Sequence, residues 1–586
     1  MAEPDVPESL TRGITALFDL LGGDNLLTPV SPRPGEVASL DYALPQDFLG
    51  QDRTLHIGFL ASFPTSSLIL RITPSAWLEW PHVMRNGVCL FAGGDRPISG
   101  TPEHVVRTAV VRIHRLIQDV LPTTPQAARH EQFSEEIRTY WGHQLELNPF
   151  QLILADTPET AQPLVVLVDP APPQGRPRLF LASDVQQLSE LVVRINGGVD
   201  RIKSPAPAGL CVPLERLPAL RIPAPNAVQD WILDGTAAHD REAVRTWFTT
   251  TGNYPLRFVV LRLPQADSPG FFALTLRSRG IAATTQPRYG RRAGDRYAPA
   301  GSPGTVARLE RAPIQVPARA VVHSRAPDLQ ARLQDAHVVL VGVGSLGSTL
   351  AVHLARSGVR RLTLIDPDTL DAANLGRHVL GLPHIGRSKA IALARQLTRE
   401  IPTVEDSPIP SFLEEGSKEI IDALESASLV LVSTADWQSE LCLWECKMQG
   451  ASWPLVQVWS EPHGLAGHAL ASPAQSTDDV RPLFESHGQF RHRFSDWPDE
   501  GLIRPHACGV SYIPGGPVAL AAVATLGAQA ALDTLTGAMT APRWYSHVSQ
   551  AATIEAAGGT YRGPPLPDGV ASQVLVRPWP NPTSPP

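Results

Sequence analysis

The feature that most constrains the fold is a glycine-rich turn placed directly after a short apolar run. Val338-Val339-Leu340-Val341 is followed at once by Gly342-Val343-Gly344-Ser345-Leu346-Gly347. An apolar run bounded by glycine predicts a buried strand, and glycines at this spacing let the backbone turn sharply into a helix. The free N–H groups at the start of that helix face any phosphate bound there. The turn therefore predicts a strand–turn–helix unit that can hold a nucleotide.

Polar residues follow the turn at intervals that narrow the kind of nucleotide. Asp366 closes the run Arg361-Leu362-Thr363-Leu364-Ile365, where its carboxylate can accept ribose hydroxyls. The turn and Asp366 alone are also typical of a dehydrogenase that binds NAD. Arg377 and Lys389, which come later, have no use in hydride transfer, whereas phosphoryl chemistry needs cations that neutralise charge. The series therefore favours ATP over NAD.

Taken in order, these elements resemble the E1 superfamily, which comprises the ubiquitin-activating enzymes and their bacterial ThiF and MoeB relatives. The shared pattern is a glycine turn, an acidic strand end, Asn-Leu-x-Arg-Gln, Gly-x-x-Lys and an aspartate after a further strand. Here Asn374-Leu375-Gly376-Arg377 is followed by His378 where the family usually has Gln. The resemblance covers roughly residues 320 to 540 and implies ATP-dependent adenylation of a carboxylate.

We expect specific roles for the residues of this series. Arg377 and Lys389 would neutralise charge on the α-phosphate and the leaving pyrophosphate, and Asp436 would hold Mg²⁺ as a hard oxygen ligand. Asp368 is either a second contact near the ribose or a solvated turn residue. Arg325 would reach the ATP of a partner subunit, as E1 relatives often arrange. The remaining expected nucleotide contacts are Gly342, Gly344 and Gly347 at the phosphates, Asp366 at the ribose and Asn374 at phosphate or the metal shell.

Two cysteines are expected to carry an acyl group, because a thiol attacks the carbonyl carbon of a mixed anhydride well. Cys508 lies in a polar segment before a proline-glycine stretch and a helix, and it resembles the acyl-accepting cysteine of E1 relatives. Arg504 and His506 would lower the pKa of its thiol if they lie close to it. The alternative is a buried structural cysteine.

Cys89 stands in Gly87-Val88-Cys89-Leu90, after a strand and a proline-containing turn. This order resembles the ubiquitin-conjugating E2 fold, although the His-Pro-Asn tripeptide of that family is degraded here to Pro81-His82-Val83, and Asn86 cannot simply be given the duty of the missing asparagine. On the local sequence alone, core packing is the better explanation of Cys89. An E2-like block fused ahead of an E1-like block would give Cys89 an acyl donor on the same polypeptide, at high effective concentration.

At 586 residues the chain is too long for a single core. The order of elements predicts a multidomain α/β protein: an α+β E2-like domain, an α/β linker domain and a Rossmann-like adenylation domain with a mostly parallel sheet. Within them we expect a helix around residues 11–21, a helix at 103–120 and a helix near 185–193. The expected divisions are residues 1–130, 131–320, 321–560 and a C-terminal tail at 561–586.

Composition excludes some partners and cofactors. The formal charge of −7 gives no electrostatic reason to expect nucleic acid. No apolar run of about 18 residues indicates a membrane span, and the N-terminus lacks a basic export signal, so a cytoplasmic location is expected. Five scattered cysteines form no pair of Cys-x-x-Cys motifs, and we expect no zinc. Cys442 and Cys446, which can share one helical face, are expected in the core.

The whole chain resembles the bacterial E1–E2 fusions of CBASS antiviral operons. That resemblance implies activation of the C-terminus of a ubiquitin-like protein or of a cGAS-like CD-NTase, passage from Cys508 to Cys89, an amide bond to a target amine, and a homodimer. Three alternatives stay open. They are an E1 with an inactive E2-like docking domain, a ThiF- or MoeB-like sulfur-carrier adenylyltransferase, and a non-catalytic nucleotide sensor.

Overall fold

The computed structural model describes the chain in segments. These are residues 7–22, 26–85, 87–89, 100–125, 140–142, 148–169, 177–195, 206–216, 218, 222–252, 254–264, 270–278, 306–502 and 513–580. The chain divides into two compact units, one formed by residues 1–184 with 204–315 and the other by residues 185–203 with 316–586.

The first unit begins with a four-stranded antiparallel sheet whose strands follow one another in chain order. Alternation explains the sheet, since Leu55, Ile57 and Phe59 are buried in its core while His56 and Gly58 point to the other face. The expected helices 11–21 and 103–120 are present and pack against each other. The elements are α1 Glu8–Leu21, β1 Leu27–Val30, β2 Glu36–Ala43, β3 Thr54–Leu60, β4 Ile69–Thr73, the hairpin β5 Val83–Met84 and β6 Gly87–Val88, and α2 Pro102–Val120.

The same unit contains a mixed eight-stranded sheet with the order β13-β12-β11-β10-β8-β9-β7-β14. The helices Val228–Gly235 and Arg241–Thr250 pack on one face of this sheet. Their apolar side chains form a cluster with strand residues, which includes Val244, Trp247 and Val259. Its strands, and the helices along this part of the chain, are β7 Gln151–Leu154, β8 Gln162–Val168, β9 Arg178–Ala182, α3 Val185–Ile195, β10 Ala206–Pro213, α4 Val228–Gly235, α5 Arg241–Thr250, β11 Leu256–Leu263, β12 Gly270–Ser278, β13 Val306–Ala312 and β14 Ile314–Gln315.

Helix α3 groups with the second unit, although the sequence analysis placed it in the linker domain. Its apolar face, with Leu188 and Val192 fully buried, accounts for the difference, because an amphipathic helix packs wherever a matching apolar surface is available. The helix contacts Lys389–Glu400 of the second unit. That long-range partner is not visible in a local pattern.

The second unit is a Rossmann-like α/β domain. Its elements are α6 Arg319–Val322, α7 Pro327–Leu333, β15 His337–Val341, α8 Ser345–Ser357, β16 Arg361–Ile365, α9 Lys389–Glu400, β17 Glu405–Ile409, α10 Lys418–Glu425, β18 Leu429–Val432, α11 Trp437–Met448, β19 Leu455–Ser460, β20 Ala466–Ser472, β21 Ser495–Asp496, α12 Pro517–Leu535, β22 Arg543–Ser549, α13 Ala551–Ala556, β23 Thr560–Tyr561 and β24 Ser572–Pro578.

The large sheet of this unit has the order β17-β16-β15-β18-β19-β20-β22-β24. Strands β17 to β19 in that order pair in parallel, as predicted, and β20, β22 and β24 extend the sheet antiparallel. Strand β15 is central and buried throughout because helices cover both faces. The carboxyl ends of β15, β16 and β18 therefore meet at one edge, where the glycine turn, Asp366 and Asp436 follow them.

The C-terminal region differs from the prediction in two respects. Residues 561–586 were assigned to a tail, whereas Ser572–Pro578 pairs along its full length with β22 and forms an edge strand. Helix α12 is also long and apolar enough to cross a membrane by length and composition, which the sequence analysis did not recognise. In the structure its Val523, Ala524 and Leu526 are buried against the sheet.

Candidate functional site

The glycine turn is built around two close approaches of the backbone. Gly342 has φ +84°, and a Cβ there would lie 2.9 Å from the backbone of Ser433. A Cβ at Gly347 would lie 1.9 Å from the Gly342 carbonyl oxygen, so α8 can begin here only with glycine. At Gly344, no described atom lies within 4 Å of the Cβ position. The predicted glycines therefore have different tasks: two permit the turn, and Gly344 leaves room above it.

Asp366 holds the turn in place. Its Oδ2 accepts a hydrogen bond from Val343 N–H at 2.7 Å, and its Oδ1 accepts one from Asp368 N–H at 2.9 Å. The side chain is almost fully buried, and burial raises the pKa of its carboxyl, while the two backbone hydrogen bonds act in the opposite direction. Because each carboxylate oxygen can accept further hydrogen bonds, the ribose contact predicted for Asp366 remains compatible with this geometry.

His378 fastens the same turn from the other side. Its Nε2 lies 2.8 Å from the Val343 carbonyl oxygen, and its Nδ1 accepts a hydrogen bond from Leu380 N–H at 3.0 Å. These partners require a neutral ring with its proton on Nε2. Burial is the main cause that lowers the pKa of His378. A glutamine amide also offers one donor and one acceptor, which explains why His378 can stand where E1 relatives usually have Gln.

Lys389 lies close to Asp366 and begins helix α9. Its Nζ is 2.8 Å from Oδ2 of Asp368, and its backbone N–H donates to the Asp368 carbonyl oxygen. The ammonium is nearly buried, whereas the Asp368 side chain is largely exposed. Asp368 therefore pairs with the cation predicted to contact phosphate. Since the pair is open on the side of Asp368, Lys389 can exchange this carboxylate for another anion.

Arg377 and Asn374 lie on the segment between β16 and α9. Nη1 of Arg377 donates to the Ile513 carbonyl oxygen at 3.3 Å. Asn374 forms a capping box with Asp371, in which its Oδ1 accepts from Asp371 N–H and its own N–H donates to the Asp371 carboxylate. The Asn374 side chain is thus partly engaged in the local turn. Arg377 connects this turn to Ile513, where the described chain resumes after residue 502.

Asp436 follows β18 and caps helix α11. Its Oδ2 accepts from the Ser439 backbone N–H at 3.0 Å and from the Ser439 hydroxyl at 2.6 Å, while the residue as a whole is exposed. Within the described ranges, no group of three or more His, Cys, Asp or Glu side chains could hold a metal ion. A single exposed carboxylate nevertheless fits Mg²⁺, which in ATP-binding sites often takes one or two carboxylates together with phosphates and water.

Two residues of this site have no signal in the sequence. Ser433 donates its hydroxyl to the Gly342 carbonyl oxygen at 3.0 Å and so joins the β18 end to the glycine turn. Glu440 is almost fully buried on α11, where burial raises the pKa of its carboxyl to about 7 despite hydrogen bonds from Thr434 and Ala435. Neither residue belongs to a motif, and a glutamate on a helix is ordinarily solvated. Neither role could therefore be predicted from the sequence.

Of the two cysteines predicted to carry the acyl group, the structure describes Cys89. Cys508, with Arg504 and His506, lies outside the described residues, as does Asn86. Cys89 is half-buried at the end of the β5–β6 hairpin, where its N–H donates to the His82 carbonyl oxygen at 2.7 Å. His82 has φ +61°, which is uncommon for a residue with a side chain. This hairpin places Cys89 opposite His82, the residue next to Pro81.

Two further predictions can be compared with the coordinates. Arg325 lies exposed ahead of α7, and its contact with the nucleotide of a partner subunit stays a prediction. Cys442 is half-buried and Cys446 is exposed, so the expectation that both pack in the core is wrong for Cys446. The helix α11 turns its Leu443 and Trp444 to the core instead, since these side chains bury more apolar surface than a thiol.

The match to a known family lies within the second unit. Residues 318–544 match the ThiF family. The ATP-dependent ubiquitin transferase-like protein Cap2 of Pseudomonas aeruginosa is 29% identical over 208 residues, which cover 35% of this chain and 37% of Cap2. The molybdopterin-synthase adenylyltransferase of Escherichia coli is 36% identical over 89 residues, covering 15% and 36% of the two chains. This chain therefore spans well under two thirds of the length of either relative.

Among solved structures, E. coli tRNA N6-threonylcarbamoyladenosine dehydratase in complex with AMP aligns with a TM-score of 0.28 and 18% identity. The alignment covers 37% of this chain and 94% of that enzyme. E. coli MccB with ATP gives a TM-score of 0.28 and 19% identity over 38% of this chain.

Proposed function

We propose that this chain, whose residues 318–544 form a ThiF-family domain resembling that of Cap2, uses ATP to adenylate the C-terminal carboxylate of a partner protein. The observation that carries the proposal is the cluster at the sheet edge. There the turn at Gly342, Asp366 and the exposed carboxylate of Asp436 follow neighbouring parallel strands, and the cation of Lys389 is paired with Asp368, two residues after Asp366. Such an edge is where open α/β sheets bind their ligands.

In the first step the carboxylate of the partner attacks the α-phosphorus of ATP, and pyrophosphate leaves. The turn held by Asp366 and His378 directs backbone N–H groups of α8 toward the phosphates. Lys389 exchanges Asp368 for phosphate oxygens and neutralises charge as the pyrophosphate departs, and Arg377 acts with it. Asn374 supports this step from the neighbouring turn.

Asp436 would hold Mg²⁺ together with phosphate oxygens, and the ion would supply further charge neutralisation at the phosphates. What the chain itself contributes is an oxygen ligand whose position is fixed by Ser439 at the start of α11. No zinc takes part in the proposed reaction.

The acyl group then moves to sulfur. The thiolate of Cys508 attacks the carbonyl carbon of the acyl adenylate and AMP leaves, giving a thioester. The thiolate of Cys89 attacks that thioester and Cys508 is released. An amine of the target finally attacks the Cys89 thioester, forms an amide and expels the thiolate. The half-buried position of Cys89 at a hairpin end, on an α+β domain with the helix–sheet–helix order of E2 enzymes, supports this assignment.

The proposed partner is a ubiquitin-like protein or a cGAS-like CD-NTase, and the proposed setting is cytoplasmic antiviral defence. The name of Cap2, an ATP-dependent ubiquitin transferase-like protein, supports a protein substrate, and the defence setting rests on the resemblance of the sequence to the E1–E2 fusions of CBASS operons. A homodimer in which Arg325 reaches the neighbouring nucleotide is part of the same proposal. Neither nucleic acid nor a membrane has a role in it.

The test uses pyrophosphate exchange with the full chain and candidate partner C-termini. The Asp436→Ala variant should lose exchange, because the metal ligand is gone. The Cys89→Ala variant should keep exchange and form a thioester on Cys508 but transfer nothing to an amine. Wild-type exchange in Asp436→Ala would remove Asp436 from the metal site, and wild-type conjugation by Cys89→Ala would end the E2 assignment.

A second function is favoured by one specific observation. Residues Pro81, His82 and Val83 stand where E2 enzymes have His-Pro-Asn, so the asparagine that supports aminolysis is not in place. An E1 that uses an inactive E2-like domain only for docking would have this substitution. In that case Cys89→Ala would conjugate as well as the wild type when a separate conjugating protein is supplied.

A further inference from the structure

Glu440 is a buried carboxylate that no proposed chemical step uses. Its residue is 5% exposed, and its hydrogen bonds come from neutral groups. Oε1 accepts from the Thr434 hydroxyl at 3.1 Å and from Ala435 N–H at 3.1 Å, while Oε2 accepts from Gln457 Nε2 at 2.7 Å. Burying a carboxyl is costly even with such partners, so its presence here calls for a specific task.

The groups that Glu440 binds belong to one short turn between β18 and α11. Within it Ala435 has φ +57°, a left-handed conformation that a residue with a Cβ rarely adopts. The N–H of Ala435 donates to Glu440, and this hydrogen bond holds the strained residue in that conformation. Thr434 gives a second contact to the same carboxylate oxygen. Glu440 thus holds the turn at two successive residues, through the side chain of Thr434 and the backbone of Ala435.

The turn carries a functional group at each end. At its start Ser433 donates its hydroxyl to the Gly342 carbonyl oxygen at 3.0 Å, within the glycine turn. At its end Asp436 caps α11 and exposes its carboxylate. Because the Asp436 backbone N–H also donates to the Thr434 hydroxyl oxygen at 3.2 Å, a shift of Thr434 displaces Asp436 directly. The distance between the glycine turn and Asp436 is therefore set by residues 433–436.

The far side of Glu440 is fixed as well. Trp444 Nε1 donates to Gln457 Oε1 at 2.7 Å, which turns the amide nitrogen of Gln457 toward Glu440. Trp444 is fully buried on the same helix, and Gln457 lies on β19. The carboxylate is consequently held against the sheet and cannot follow the turn if the turn moves.

We propose that Glu440 is a positioning residue for the metal ligand: it locks the turn 433–436 so that Asp436 is placed for the Mg²⁺ that accompanies ATP. This inference rests on the proposed function, since it deepens the role of the same site. It predicts that loss of Glu440 impairs the magnesium-dependent part of nucleotide binding and leaves the magnesium-independent part intact.

The experiment measures binding of a fluorescent ATP analogue to the full chain, with and without Mg²⁺, at one fixed pH. Glu440→Leu should weaken binding in Mg²⁺ by about tenfold to a hundredfold, the size expected when hydrogen bonds to a charged group are lost. Without Mg²⁺ its affinity should match the wild type. Glu440→Gln should restore only part of the loss: its amide oxygen still accepts from Thr434 and Ala435, but its amide nitrogen faces the Gln457 amide nitrogen, from which Glu440 now accepts a hydrogen bond. The matched control is Glu445→Leu, at an exposed glutamate on the same helix.

A double-mutant cycle with Asp436→Asn separates positioning from general structural support. If Glu440 acts through Asp436, Glu440→Leu adds no further loss in the Asp436→Asn background. An additive loss, or an equal loss with and without Mg²⁺, would overturn the proposal, and so would a Glu440→Leu variant that binds like Glu445→Leu. Should Glu440→Leu fail to fold, Thr434→Val removes the hydroxyl that donates to Glu440 and accepts from Asp436 N–H with little change of shape, and the same selective loss is expected at smaller size. A wild-type chain with no magnesium-dependent binding would refute the proposed function itself.

Discussion

Replacing His378 tests how the glycine turn is held. In His378→Phe a planar ring remains, although it is larger than imidazole, and both polar contacts are lost, which leaves the Val343 carbonyl and the Leu380 N–H without their partner inside the domain. Each buried group left unpaired costs about 1 to 3 kcal/mol, so the turn should lose roughly 2 to 6 kcal/mol of local stability. In His378→Gln one donor and one acceptor remain, and the loss should stay below about 1.5 kcal/mol.

Native-state hydrogen exchange followed by mass spectrometry suits this measurement, because a chain of several domains does not unfold in one step. Peptides covering β15 and the start of α8 should lose protection in His378→Phe by the amount given above. His487→Phe is the matched control, since His487 is exposed on the surface of the same unit. Equal protection in the two Phe variants, or an equal loss in His378→Gln and His378→Phe, would show that the two hydrogen bonds of His378 do not hold the turn.

His378 also predicts that the stability of the glycine turn depends on pH. The pKa of His378 is lowered, chiefly by burial, so the folded domain binds fewer protons at this site than the unfolded chain. Its contribution is therefore fully present above the unfolded pKa, about 6.5, and is lost as the pH falls through the lower folded pKa. Protonation places a hydrogen on Nδ1, against the Leu380 N–H. Local protection of the turn should fall with acid in the wild type and lose this dependence in His378→Gln.

Three further tests cover the rest of the site. Gly347→Ala should disrupt the turn and abolish nucleotide binding, because its Cβ would lie 1.9 Å from a carbonyl oxygen, whereas Gly344→Ala should fold normally; equal melting temperatures would contradict this. Asp366→Asn should lower the thermal stability of the unit by about 1 to 3 kcal/mol, because an amide cannot accept both backbone N–H groups through two oxygens. Lys389→Met should reduce pyrophosphate exchange at least about a hundredfold while Asp368→Ala retains it; equal effects would mean that Lys389 serves only its ion pair.

What could be predicted from the sequence was local. The run from Val338 to Gly347 predicts its strand, turn and helix because every residue of the signal lies within one unit of structure. Asp366 follows β16 and Asp436 follows β18, and both strands run parallel to β15. The two residues therefore lie at the same edge of the sheet. Contacts between side chains of the site were not predictable in this way. The pairing of Lys389 with Asp368, for example, depends on how the loop between them folds.

The unpredicted parts depend on partners distant in the chain. Glu440 reads as a solvated helix residue until β19 brings Gln457 against it. His378 is visible as a departure from a family pattern, but its two hydrogen bonds exist only because the turn at Val343 and the backbone at Leu380 converge on its ring. Strand β24 pairs with a strand some thirty positions earlier, beyond the reach of any short periodic signal.

That last strand has a practical consequence for anyone who shortens the protein. A chain cut before Ser572 would leave β22 as the border of the sheet, with the backbone amides and carbonyls of Trp544 to Val548 lacking the ladder that now saturates them. Such a border is a template for association between molecules, and the exposed Val574 and Val576 are already the apolar part of the present one. Loss of activity on trimming this end would therefore report aggregation before it reported anything about catalysis.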